Sequence, residues 1–211
     1  MNQVQPQAQP ALGEEIESRY AVTRALSEAL AAPLSEADAT IQSMEDASPA
    51  KWHLAHTTWF WETFLLRDHL GGYSLFDERW PFVFNSYYEA EGERIHRFSR
   101  GMLSRPTLAD IRHWRAHVDA AMEPLFAREE LAPLIELGLA HEQQHQELLL
   151  TDIKHALFQN PLGVALWRAL IHIYEPTRTY KRSYVVSCLK KKTQPHELRR
   201  IKPHRKRQCK N

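Results

Sequence analysis

Apolar residues recur at helical spacing along four long stretches of the chain. The first covers residues 12–32, with glutamates in its first turn, where the helix dipole favours them, and Pro33 at its end. The other three are expected over residues 48–72, over residues 107–128, and from Glu129 or Glu130 to about residue 160. No credible pair of strands lies between them. The pattern predicts an all-α fold, a four-helix bundle.

Local signals indicate where these helices begin. We expect Ser48 at the N-cap and Pro49 at the first position of the second helix, and a capping box from Thr107 to Asp110 at the start of the third. Residues 35–44 are expected to form a short helical turn. Residues 73–106 are rich in aromatic side chains and show no period. A connection of this length between the second and third helices is usually functional or packed over a site.

Charge divides the chain into an acidic body and a basic end. Residues 163–211 contain fourteen basic and two acidic side chains, a net charge of +12, whereas residues 1–162 have a net charge of −11. This irregular basic tail has three interpretations: a nucleic-acid-binding arm, a solvated disordered tail, or a product of the wrong reading frame. We therefore expect a disordered N-terminus over residues 1–11, a bundle over residues 12–162, and the tail.

The apolar runs, the N-terminal residues and the cysteines together predict the cellular compartment. No apolar run approaches the length of a membrane helix, and the N-terminus lacks the pattern of a secretory signal. The two cysteines, Cys188 and Cys209, form no disulfide framework. We expect a cytoplasmic protein that does not contact a membrane.

Candidate chemistry lies in "LGLAHEQQHQELLL", within the fourth predicted helix. His141 and His145 are four residues apart and therefore share one helix face, where both can bind one metal ion. A third ligand is expected from "WHLAH" on the second helix, either His53 or His56. Trp59, Phe60 and Trp61 follow this motif and predict an apolar wall beside the site. Three neutral imidazoles suit zinc, iron or copper, and three protein ligands leave positions open for catalysis.

The same string matches the HExxH pattern of zinc proteases, with Glu142 as the general base. The extended form of that pattern requires a histidine at position 151, where this chain has Thr151. The strand that usually lines a peptide substrate is also missing. A protease is therefore the less favoured interpretation.

Four segments together resemble a known family: "SPAKWHLAHTTWFWETFLL", "FNSYYEAEGERIHRFSRGMLSRP", "RAHVDAAM" and "ELGLAHEQQHQELLLTDIKHALFQNPL". They are similar to the N-terminal DinB-like domain of the ergothioneine-biosynthesis sulfoxide synthases, to which selenoneine synthases are closely related. The resemblance covers residues 11–162. It implies a DinB-like four-helix bundle and a non-haem Fe(II) bound by His56, His141 and His145, with Zn as the alternative metal.

The resemblance also implies the substrates. In this family a cysteine-type thiol is joined to the imidazole of hercynine (trimethylhistidine) with O2, and a sulfoxide forms. Gln144 matches the residue beside the hercynine ring. Arg94, Arg97 and Arg100 are candidates for binding the carboxylate of the thiol substrate, because a guanidinium matches a carboxylate in bidentate fashion.

One departure from the family affects the expected activity. In the family a second, larger domain follows the bundle and supplies a catalytic tyrosine, and the basic tail does not resemble it. We therefore expect the metal-binding half of a synthase, truncated or frameshifted after about residue 162 and with little activity alone. A stand-alone DinB-like thiol transferase is the alternative. A nucleic-acid-binding protein is less favoured because the body is acidic.

Overall fold

The fold is all-α over the residues that the computed structural model describes, 12–86, 88–164 and 166, and these residues contain no strand. The predicted fold class is thus confirmed. The predicted N-terminal segment and nearly all of the basic tail lie outside the described residues. The α-helices are α1 (Leu12–Ala31), α2 (Glu36–Thr40), α3 (Ala50–Phe60), α4 (Trp80–Phe84), α5 (Leu108–Met122) and α6 (Ala132–Gln159). None of these described helices is long and apolar enough to cross a membrane.

The helix starts follow the predicted caps with one exception. Thr107 and Asp110 form the expected capping box of α5. At α3, however, Pro49 occupies the N-cap and Ser48 lies outside the helix, so the predicted Ser48 cap is wrong. The reason is that Ser48 serves a tertiary contact: its backbone N–H donates to Asp152 Oδ2 at 2.8 Å, and its hydroxyl accepts from Arg100 at 2.8 Å.

Beyond α3 the chain continues as a π-helix over Trp61–Arg67, and the helical segment ends at a turn that contains Gly72 with φ of 77°. The predicted end near this glycine is confirmed. A π-helix is wound more widely than an α-helix, so the side chains after Phe60 depart from a continuous α-helical register. Trp61 and Glu62 are both fully buried.

The connection between the second and third long helices is more ordered than its irregular pattern predicts. It contains α4 and two 3₁₀ segments, Glu89–Glu91 and Arg97–Met102. Trp80 and Phe84 of α4 pack against Trp114 of α5, with ring centroids 4.8 and 5.7 Å apart. This aromatic packing fixes α4 against the bundle and determines the position of the Phe84 carbonyl.

Of the two remaining predicted helix ends, that of α5 differs from the structure and that of α6 agrees with it. The α-helical part of α5 ends at Met122 rather than at residue 128, because Pro124 lacks the N–H that would continue it, and a 3₁₀ turn over Glu123–Leu125 follows. Helix α6 ends at Gln159, immediately before Asn160 and Pro161, as predicted.

Gly138 of α6 lies directly against the ring of Trp61. A Cβ at this position would overlap the indole, whose Nε1 donates to Glu142 at 2.8 Å. Gly138→Ala is therefore expected to lower the free energy of unfolding by about 1–3 kcal/mol, the usual cost of overpacking. Gly71→Ala is the control, because nothing lies within 4 Å of a Cβ there. Chemical denaturation of both variants checks this; equal stability would contradict the packing.

Candidate metal centre

His56 lies in an aromatic slot on α3. Its ring stacks between Trp52 and Trp59, with centroids 4.7 and 5.3 Å away and interplanar angles of 11° and 14°. Its Nδ1 lies 2.6 Å from the carbonyl oxygen of Phe84, which only accepts, so Nδ1 carries the proton and donates. The lone pair of His56 is therefore on Nε2, on the other side of the ring.

His141 and His145 of α6 face this nitrogen. His141 Nε2 lies 3.2 Å from His56 Nε2, and the rings of His145 and His56 have centroids 4.6 Å apart. One ring nitrogen from each of the three histidines lies within 4.8 Å of the others. Helix spacing thus explains the pair on α6, and the packing of α3 against α6 brings in the third ring.

His53, the other histidine of "WHLAH", lies behind the cluster. Its Nδ1 is 2.9 Å from Nδ1 of His145, and its Nε2 is 3.1 Å from Oδ2 of Asp152. His53 is thus hydrogen-bonded to a member of the three-histidine group and is not itself part of it. Nothing in the motif identified Asp152, although its position seven residues after His145 places it two turns along the same helix face.

Burial, and for His56 and His145 also the neighbouring histidines, keeps the three rings neutral at pH 7. Burial lowers the pKa of His141 to about 4. Burial and then the neighbouring His141 lower the pKa of His56 well below its usual value, and burial followed by the other histidines does the same for His145. A neutral imidazole can donate a nitrogen lone pair to a metal ion, so the cluster is in the protonation state that binds a metal.

The donor set fits a divalent transition metal. Three neutral nitrogens converge without a carboxylate among them, and His141 Nδ1 is buried without a hydrogen-bond partner among the described groups. In a metal-bound trio each facing nitrogen would donate its lone pair to the ion, and three ligands leave further coordination positions open. The geometry suits Fe(II) and Zn(II) alike.

Glu142 faces away from the histidines, toward α1 and α5. Its carboxylate accepts from Ser27 at 2.7 Å and Trp61 at 2.8 Å, and it forms ion pairs with Arg115 at 2.9 Å and Arg24 at 3.0 Å. Burial would raise its pKa, but the two arginine charges and these hydrogen bonds hold the pKa well below the usual value. Glu142 is a buried structural anion, and the general base of the protease interpretation has no counterpart here.

The aromatic wall is only partly as predicted. Trp59 stacks on His56, and Phe60 packs on His141 with centroids 4.7 Å apart. Trp61 instead contacts Tyr20 and Glu142, because the π-helix begins there. Leu137, four residues before His141, is 57% exposed and adds nothing to this wall.

The predicted substrate residues occupy different environments. Gln144 is exposed on α6, one turn from His141. Arg94 and Arg97 are half-buried. Arg100 is buried; it donates to Ser48 and Ser86, and its guanidinium lies 3.4 Å from the centre of the Trp52 ring. Arg100 is thus close enough to the cluster for its charge to lower the pKa of His145, after burial and the other histidines.

Comparison with known proteins supports the fold-level resemblance. A search of curated proteins found no match. The family model of the DinB superfamily matches residues 19–149, which include most of α1, all of α3 and α5, and all three histidines of the cluster. This match covers more than half of the chain. The chain belongs to the DinB superfamily.

Proposed function

We propose that this chain is the metal-binding domain of an O2-dependent sulfoxide synthase, which joins a cysteine-type thiol to hercynine as in ergothioneine biosynthesis. His56, His141 and His145 bind the metal, Fe(II). The observation that carries this proposal is the trio itself: three imidazoles on two helices, with no carboxylate in the group among the described residues. Three ligands would leave coordination positions open on a bound ion. A closed structural site would instead hold four protein ligands.

The proposed reaction is balanced by O2 alone. The thiol loses its S–H hydrogen, and the hercynine ring loses a C–H hydrogen. A C–S bond forms, the sulfur gains one oxygen atom, and the second oxygen leaves with both hydrogens as water. Four electrons therefore pass to O2. Bound Fe(II) supplies the redox chemistry for this step.

The chain's own residues bind and orient the substrates in this proposal. Gln144 lies on the exposed edge of the histidine face, where its amide can hydrogen-bond an imidazole ring. Arg94 and Arg97 belong to the connection between α3 and α5 and provide guanidinium groups for a carboxylate. Arg100 contacts two serines and Trp52 and contributes positive charge to this side of the bundle.

Hercynine binding tests the proposal. The full chain is loaded with Co(II) as a visible probe, and hercynine and cysteine are titrated separately. Both are expected to perturb the cobalt spectrum, cysteine through a new thiolate-to-metal absorption. Gln144→Ala should weaken the hercynine response at least several-fold. Gln143→Ala is the matched control, because Gln143 is an exposed neighbour of the same type. No response to hercynine, or equal losses in both variants, would contradict the proposed substrate.

Metal preference distinguishes the alternative, a stand-alone thiol transferase. Fe(II)-loaded and Zn(II)-loaded protein are compared with and without O2. The proposal expects little synthase activity from this chain alone, and it expects any thiol chemistry to require both Fe(II) and O2. Thiol transfer by the Zn(II) form without O2 would favour the transferase instead.

A further inference from the structure

A line of three hydrogen-bonding side chains runs from the helix start of α3 into the metal centre. Asp152 Oδ2 accepts from the backbone N–H of Ser48 at 2.8 Å and contacts His53 Nε2 at 3.1 Å. His53 Nδ1 then contacts His145 Nδ1 at 2.9 Å. Asp152 and His53 are both buried, so bulk solvent does not compete for these bonds.

The Asp152 carboxylate determines which nitrogen donates in each hydrogen bond of this line. A carboxylate oxygen only accepts, and the same oxygen already accepts from Ser48, so His53 Nε2 carries the proton and donates. A neutral His53 then has its lone pair on Nδ1. It accepts from His145, whose proton must be on Nδ1. The lone pair of His145 is consequently on Nε2, the nitrogen that His53 does not contact.

We propose that Asp152 and His53 are a positioning pair that holds His145 in its Nδ1–H tautomer, so that Nε2 is available to the metal. This inference rests on the proposed three-histidine centre. His56 is fixed in the same way by a different acceptor, the Phe84 carbonyl. Two of the three rings thus have their tautomers set by partners inside the fold, one by a backbone group and one by a side-chain pair.

Asp152 and His53 affect both the orientation and the basicity of the His145 ring. A hydrogen bond to the remote nitrogen fixes the ring plane, and an anion at the end of the line makes the imidazole a stronger donor to a cation. Loss of outer partners of this kind typically lowers metal affinity about 10–100-fold. The expected effect is therefore weaker binding with unchanged stoichiometry.

The first test needs no metal. Long-range ¹H–¹⁵N correlation spectra of the metal-free full chain report which nitrogen of each histidine is protonated, and His145→Gln identifies the His145 signals. We expect the Nδ1–H tautomer in the wild type and a shift toward Nε2–H in His53→Leu, which cannot accept. His53→Asn places an amide oxygen near the former Nδ1 and should restore much of the Nδ1–H form. A merely structural role for His53 would leave the tautomer unchanged.

The second test measures Zn(II) affinity by chelator competition for the same variants. His53→Leu is expected to bind one ion about 10–100-fold more weakly than the wild type, with partial recovery in His53→Asn. An Nε2–H tautomer in the wild type, or equal affinities in all three proteins, would overturn the positioning pair and leave the metal centre in place. Absence of metal binding by the wild type would overturn the centre as well.

Discussion

Replacing Glu142 with alanine is expected to lower the free energy of unfolding by about 3–5 kcal/mol, the typical cost of removing one partner from a buried ion pair. Arg24 and Arg115 are both buried and both bind this carboxylate. Without the Glu142 carboxylate, the guanidinium groups of Arg24 and Arg115 stay buried but lose the anion that they share. Because a domain of this size is stable by roughly 5–15 kcal/mol, the variant should be near the limit of folding.

Glu147→Ala is the matched control for this experiment. Glu147 is also on α6 but is exposed, so its loss should change stability by less than about 0.5 kcal/mol. Both variants are unfolded with urea in the metal-free state. Similar small losses would show that Glu142 is not the anchor of the buried cluster. A stable Glu142→Ala protein with altered metal chemistry would instead place Glu142 at the centre.

The second large expected effect is the loss of metal binding when a histidine of the trio is removed. His145→Ala is expected to abolish stoichiometric metal binding, because the remaining two histidines are on different helices. His53→Ala should still bind one ion per chain at saturating metal, with lower affinity, because His53 contacts His145 and lies outside the trio. Metal analysis after equilibrium dialysis against Zn(II) gives both stoichiometries.

His113→Ala is the control for nonspecific histidine binding. His113 and His117 are an exposed pair four residues apart on α5, a spacing that can itself hold a metal ion weakly. Removing one of them should leave the ion of the three-histidine centre in place. Equal losses from His145→Ala and His53→Ala would mean that the wrong histidine of "WHLAH" had been chosen.

The sequence was sufficient for the parts of the molecule that depend on local periodicity. The four long helices, the Thr107 cap and the shared face of His141 and His145 all follow from residue spacing. The choice of His56 over His53 came from the family resemblance, because both lie on the same short motif. In the structure His56 is the one that reaches the other two rings.

The features that spacing missed depend on tertiary contacts. The π-helix from Trp61 carries no signal in its residue types, and it turns Trp61 toward Gly138 and Glu142. Ser48 looked like a helix cap, but its N–H is engaged by Asp152 from another helix. The carbonyl of Phe84 orients His56, and a backbone group cannot be recognised from side-chain chemistry.

X-ray absorption spectroscopy of the Fe(II)-loaded full chain, before and after addition of cysteine, tests the central claim most directly. The account predicts one Fe(II) per chain with a nitrogen-rich first shell and imidazole scattering, which is lost with His145→Ala. Cysteine should then add an iron–sulfur scatterer at about 2.3 Å, the usual metal–thiolate distance. A first shell without imidazole, or one that cysteine leaves unchanged, would contradict an open three-histidine centre built for thiol chemistry.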